Sequence, residues 1–300
     1  MNRKLLVCSS LVIVIAGCAV STRQVNTTPG STSSKQAAAV DSDDKQHPSS
    51  DTIRDTDAAV TTKEHYVPES ASERIDSVQL ELDNFYTLMS YAVVYKNWQS
   101  DTTTQKRGHN IGCVVVNSND TVVYWARNCN KILSNGTQHG EVRAMLGYIN
   151  AKRSYNLKNH TIYTSLEPCA QCAGMMTLQS IERTVYGQKD PDFGDAFERL
   201  QCKLGTCQGC TPYPRSVISV ESKCRLTAML DSTYHVNRDK FRSITGFLLS
   251  DSARVIYQAA DSLFRAFTPR HSQNEGPVNY AKQFLTDSVT TSYKKLGVDF

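Results

Sequence analysis

Apolar positions along the chain fall into two regimes. Up to about residue 70 they are sparse, apart from one short run, Leu5 to Ile15; from Ser72 they become periodic. Ile75, Val78, Leu82, Phe85, Leu88, Met89 and Ala92 recur at steps of three and four, which predicts an amphipathic helix. Two strands are expected next. The run Glu141-Val142-Arg143-Ala144-Met145-Leu146 has helix-face spacing, and the β-branched and aromatic run Thr161 to Leu166 has the makings of a buried strand. A further helix is expected around Cys169 and Cys172, with strands at 183–188 and near Ser216 to Glu221. This alternation predicts an α/β layered domain. Beyond Cys224 the pattern is helical. Phe241, Ile244 and Leu248, then Val255, Ile256, Ala259, Leu263 and Phe267, keep helix spacing; Thr268-Pro269 breaks it, and Gly276-Pro277 opens a last helix ending near Gly297. No internal repeat at solenoid periods is present.

The chemistry-bearing residues sit at the starts of the two central helices. His139-Gly140-Glu141 is followed by Pro168-Cys169-Ala170-Gln171-Cys172. One imidazole and two thiolates favour Zn²⁺, and three protein ligands leave a fourth tetrahedral position open, the mark of a catalytic site. Water at such a position ionises far more readily than bulk water. Two thiolates cancel the formal charge of the cation, so a separate proton carrier is required, and Glu141 fits that role rather than that of a ligand. Pro168 suits the first turn of the cysteine helix, and thiolates at a helix start are stabilised by its dipole and free N–H groups. A lone Cys-x-x-Cys also fits a redox pair or half of a structural zinc knot. The full set, His-x-Glu and then Pro-Cys-x-x-Cys, is the signature of hydrolytic nucleobase deamination.

At these residues the chain resembles a known family. Residues from about 75 to 235 are similar to the cytidine and deoxycytidylate deaminase superfamily, nearest the branch of tRNA adenosine deaminases and guanine deaminases. The resemblance rests on Leu166-Glu167-Pro168-Cys169-Ala170-Gln171-Cys172-Ala173-Gly174-Met175-Met176, on Arg183-Thr184-Val185-Tyr186-Gly187, and on Ile111-Gly112-Cys113-Val114-Val115-Val116. Val122 to Tyr124 followed by Asn128 resembles the family's second strand and the asparagine after it. The resemblance implies a three-layer α/β/α fold with a five-stranded mixed sheet, here with extra C-terminal helices. It implies that Asn128 hydrogen-bonds the substrate base. The family usually has Ala between the His and the Glu; here it is Gly140, which weakens a helix without removing a ligand.

Composition changes the picture at the N-terminus. Asn2-Arg3-Lys4 precedes the Leu5–Ile15 run, which is too short to span a bilayer. It ends in Ile15-Ala16-Gly17-Cys18, which resembles a bacterial lipobox with Cys18 as the lipidated residue; an ordinary secretory signal is the alternative. Ala19 is not the aspartate that favours inner-membrane retention, so a lipoprotein of the outer membrane is expected. The stretch from 19 to 70 is rich in Ser, Thr, Asp, Gln and Lys, has Tyr66 as its first aromatic, and reads as a polar tether. The organisation expected is a signal peptide at 1–18, a tether at 19–70, a zinc deaminase domain at 71–235 and a helical extension at 236–300. Three uses are open for the extension: covering the core, shaping the pocket mouth, or forming a homodimer face.

Ten cysteines add a constraint. Cys113 is expected to be a buried small hydrophobe, and Cys129 to lie near the pocket. Cys202, Cys207, Cys210 and Cys224 read as disulfide partners in an exported protein, or as a second, structural zinc knot. The net charge of +4 is too small to indicate a nucleic-acid partner. Arg238, Lys240, Arg242, Arg254, Arg265 and Arg270 make the C-terminal part locally basic, and solvated helix faces account for them. Three function classes follow: an exported deaminase of a free nucleobase, nucleoside or nucleotide; a deaminase acting on a base within nucleic acid; and a zinc-containing binding module. Retention of Glu141 disfavours the last, because a structural zinc has no use for it.

Overall fold

The computed structural model describes residues 76–201 and 213–295. The first helix, α1, is Ser77–Tyr95; Asp76 caps it, accepting the Val78 N–H. Strand β1 (Gly112–Val116) pairs antiparallel with β2 (Val122–Arg127) on one side and with β3 (Thr161–Leu166) on the other. Strands β4 (Arg183–Gln188) and β5 (Ile218–Glu221) continue the sheet in parallel, giving the order β2-β1-β3-β4-β5. This is the five-stranded mixed sheet expected. Helices α2 (Gly140–Lys152) and α3 (Ala170–Leu178) are the crossovers around β3, because strands that run parallel must be joined through a layer on the sheet face.

Strand β1 shows why both sheet faces are covered. Val114 and Val116 enter one apolar cluster, Cys113 and Val115 the other, and all four are buried. Side chains alternate across a strand, so a continuous apolar run has to be buried on both sides. The Cys113 cluster holds Met145 of α2 and Met176 of α3. The Val114 cluster holds α1 together with the C-terminal helices α5 (Arg225–Val236), α6 (Ile244–Phe247), α7 (Asp251–Ala266) and α8 (Glu275–Lys295). Phe85 of α1 stacks on Phe264 at 5.1 Å and meets Phe267 at 5.0 Å; Tyr91 meets Tyr257 edge-on at 5.0 Å. The 236–300 segment therefore contributes helices to the same core as α1. A buried ion pair adds polar specificity: Arg183 Nη1 donates to Asp83 Oδ1 at 2.7 Å, and Tyr163 Oη donates to the same oxygen at 2.9 Å.

Four sequence expectations shift. On α7 the buried face is Ala253, Ile256, Tyr257, Ala260 and Phe264, while Val255 and Leu263 are 59% and 50% exposed. The two stripes differ by one residue of phase; the face carrying Tyr257 and Phe264 removes more apolar area from water and wins. A short helix, α4 (Ala196–Gln201), follows β4 where no helix was expected. Among the described residues Cys224 is a free thiol, buried in the α1 cluster at the start of α5, where it packs as a core residue. Cys202, Cys207 and Cys210, like Cys18 and the tether, lie outside the described residues. Cys129 is buried, its S–H directed at the Arg127 carbonyl 3.5 Å away, and does not line the pocket described below. Among the described residues no helix is long and apolar enough to cross a membrane.

Candidate metal centre and its pocket

Two helix starts converge on one point. His139 is the residue before α2 and Cys169 the residue before α3; both have extended backbone, and neither side chain caps its own helix. Pro168 therefore stands one residue ahead of the cap, outside the first turn where the sequence had put it. Cys172 lies one turn into α3. The fold thus brings together the three ligand residues expected from sequence.

Their spacing fits a zinc ion. Cys169 Sγ and Cys172 Sγ are 3.8 Å apart, and each is 3.5 Å from His139 Nδ1. Tetrahedral zinc, with Zn–S of about 2.3 Å and Zn–N of about 2.0–2.1 Å, requires S···S of about 3.8 Å and S···N of about 3.6 Å. All three ligand atoms lie within 4.8 Å of one another. Two thiolates at this separation repel, and a dication seated among the three donors removes that repulsion. The donor set is a Zn²⁺ site, with Nδ1 as the histidine ligand atom.

Glu141 sits in the first turn of α2, 3% exposed. Thr164 of β3 donates to its Oε1 at 2.8 Å, and its Oε2 lies 3.5 Å from Cys172 Sγ. Burial pushes the carboxyl up from the usual carboxylate range, while the Thr164 hydrogen bond opposes that shift. Asn128 directly follows β2 and is buried. Its Oδ1 accepts the Gly140 N–H at 2.6 Å, and Arg107 donates to its backbone carbonyl. Among the described residues the buried Asn128 Nδ2 group has no hydrogen-bond partner. A buried donor in that state is expected to serve a ligand.

His139, Glu141, Asn128 and Cys169 line one cavity of about 400 Å³, walled by Ile111 and Leu166. Sequence reasoning missed its other walls, among them His109, Phe193 and Thr245. Burial, with the positive charges of Lys131 and Arg107 nearby, holds His109 down to about 4, so its imidazole is neutral at neutral pH. Phe193 sits 62% exposed on a braced loop. Asp190 Oδ1 accepts the N–H groups of Asp192 and Phe193, both at 3.0 Å; Glu167 accepts those of Asp190 at 3.0 Å and Asp195 at 2.8 Å. A Cβ on Gly194 would come 2.2 Å from Glu167 Oε2, so the loop closes only over glycine. The turn-rich run Asp190-Pro191-Asp192-Phe193-Gly194 was the available signal for this loop. Nothing in the sequence marked Thr245.

Comparison with known proteins agrees with this centre. Residues 86–188 match the family described as the cytidine and deoxycytidylate deaminase zinc-binding region. A probable cytosine deaminase of Schizosaccharomyces pombe is 34% identical over 116 residues, 38% of this chain and 66% of that protein. A tRNA-specific adenosine deaminase of Haemophilus influenzae is 32% identical over 90 residues, 30% of this chain and 52% of that protein. The chain thus spans between half and just under two thirds of these curated relatives. Guanine deaminase from Bacillus subtilis aligns in structure at 19% identity and a TM-score of 0.33, covering 51% of this chain and 92% of that one. What these comparisons share with the chain is residues 86–188, which match the cytidine and deoxycytidylate deaminase zinc-binding region.

Proposed function

We propose that the protein is a zinc-dependent hydrolytic deaminase of a nucleobase or nucleoside, exported and tethered to a membrane by lipid at Cys18. The observation that carries the catalytic reading is one pocket holding three things: the zinc donors, the buried Glu141 carboxyl, and the unpartnered Asn128 Nδ2. When bound, Zn²⁺ supplies the Lewis acidity that lets water ionise near neutral pH. Glu141 takes the proton from the attacking water and passes it to the ring nitrogen, then carries the proton released by the new hydroxyl to the departing amine. Water adds at the amino-bearing carbon, the C–N bond breaks, and ammonia and a carbonyl result. Thr164 holds the carboxyl in place through its hydroxyl. Asn128 donates to an acceptor on the base and orients the ring. The cavity lies toward the lower end of the about 300–1,000 Å³ typical of small-molecule sites, which suits a single base or nucleoside. The relatives' names span cytosine, adenosine in tRNA and guanine, and do not choose the base.

The test is ammonia release by the full chain against bases, nucleosides and short oligonucleotides. Glu141→Gln should retain zinc and lose about 10²- to 10⁴-fold in turnover. Wild-type release no higher than that of the variant on every substrate would reject deamination, and release from oligonucleotides alone would move the substrate to nucleic acid. Support for export is the basic start, the short apolar run and Ile15-Ala16-Gly17-Cys18. A fatty-acid probe should label the wild type and not Cys18→Ser; an unlabelled, freely soluble wild type would leave only an ordinary signal.

A further inference from the structure

We propose that Thr245 is a specificity-determining residue: it forms one wall of the pocket and its hydroxyl meets a non-reacting polar substituent of the substrate. This inference rests on the deaminase reading above. Thr245 lines the same cavity as Glu141 and Asn128, yet it belongs to α6, well beyond the matched segment that ends at residue 188.

Although α6 is only one turn long, it is firmly fixed. Its neighbours Ile244, Phe247 and Leu248 are buried, and the Phe247 ring lies 5.4 Å from Tyr234 and 5.5 Å from Phe241. Buried Asn110 donates through Nδ2 to the Leu248 carbonyl at 2.9 Å and to the Gln99 carbonyl at 2.7 Å. Asn110 immediately precedes Ile111, another wall of the pocket. The Thr245 wall is thereby fastened to the chain entering β1, and a wall held in advance gives up little further freedom when a ligand binds.

The hydroxyl is adaptable. Thr245 Oγ1 lies 2.9 Å from Ser243 Oγ, which itself accepts the Gly246 N–H at 3.3 Å. When Ser243 donates its O–H to Thr245, the Thr245 proton is free to donate into the pocket. When the pair reverses, the Thr245 oxygen keeps a lone pair for a substrate donor. The free Asn128 Nδ2 only donates, and both Glu167 oxygens already accept backbone N–H groups. Thr245 is thus suited to a second substituent, a ring carbonyl, an amino group or a sugar hydroxyl, at a position that does not react.

The test uses the full, zinc-loaded chain and a panel of cytosine, adenine, guanine and their nucleosides, with Glu141→Ala as blank. Thr245→Val keeps the shape and removes the hydroxyl; Thr245→Trp fills the wall. With the substrate that is turned over, Thr245→Val should raise KM about 3- to 10-fold, the effect of losing one neutral hydrogen bond, with the change falling mainly on KM. Thr245→Trp should shift preference from nucleosides toward free bases while keeping zinc. If both variants stay within twofold of wild type in kcat/KM across the panel, the proposal is overturned. A readout independent of turnover is N-ethylmaleimide labelling of Thr245→Cys, followed by peptide mass at that position. Protection by a panel member supports the wall even when no ammonia appears above the blank, a result that rejects deamination alone. Absence of both protection and turnover overturns both.

Discussion

Asn128 Oδ1 accepts the Gly140 N–H at 2.6 Å, so one hydrogen bond joins the amide that faces the pocket to the helix that begins beside His139 and carries Glu141. The two ends of that amide are separable by mutation. Asn128→Asp keeps an acceptor for Gly140 and removes the pocket donor; Asn128→Ala removes both. Both should lower kcat/KM, by about 1–3 kcal/mol of transition-state stabilisation for a lost buried partner, and only Asn128→Ala should also lower Tm. Steady-state kinetics beside thermal melts check this. An unchanged kcat/KM in Asn128→Asp would place the base contact elsewhere.

The metal prediction follows from the ligand geometry. With S···S at 3.8 Å and S···N at 3.5 Å, no donor is spare. Cys169→Ala and Cys172→Ala should each lose zinc by metal analysis, whereas Cys113→Ala, a change on the buried face of β1, should keep it. Full occupancy in both ligand variants would dismiss the assignment.

Gly140 offers a stability prediction. A Cβ there would meet Asn128 Oδ1 and the Ile111 carbonyl at 3.4 Å and the Ala126 carbonyl at 3.5 Å, all ordinary contact. Gly140→Ala should therefore fold with zinc bound and gain about 0.4–1 kcal/mol, because the unfolded chain loses freedom. Denaturant unfolding reads this. A loss of stability would mean that the first turn of α2 cannot admit a methyl group.

Asp231 gives a pH dependence. Burial raises its carboxyl to about 6, helped by Glu221 and Glu167, although Asp231 Oδ1 accepts the Lys189 N–H at 3.1 Å. A carboxyl raised above its unfolded value of 3.8 binds its proton more tightly in the native state, so its contribution to stability declines as pH rises from 3.8 to about 6 and stays low above that. Asp231→Asn keeps the acceptor and removes the charge. At pH 8 it should be more stable than wild type by on the order of 1 kcal/mol, a figure reduced for partial solvent exposure, and the gap should close toward pH 4. Equal stability at pH 8 would show that the carboxylate is well solvated.

Local signals carried most of this site. His139, Glu141, Cys169 and Cys172 were legible because metal chemistry fixes residue type and spacing within each helix start, and Asn128 was legible through resemblance. The strands were legible because β1 and β3 alternate between two buried faces. The phase of α7 was not, because Val255 and Leu263 have apolar character equal to that of their buried neighbours, and only the aromatic partners Phe85 and Tyr91 select the face. Thr245 was invisible for a related reason: its place in the pocket depends on the Asn110 bond to Leu248, a contact across 138 residues.

The union of α1 with the C-terminal helices bears on how the chain matures. Glu81 of α1 accepts the Arg270 N–H across 189 residues of sequence, and Phe85 waits for Phe264 and Phe267. During synthesis the first helix emerges long before the partners that shelter its aromatic face, and closing so long a loop is a slow step. Until the last helices are made, that face is exposed and open to improper association. Under the export proposed above, delayed closure has a use: a polypeptide that cannot complete its fold early stays loose enough to be threaded, and becomes a finished enzyme only once its tail has followed.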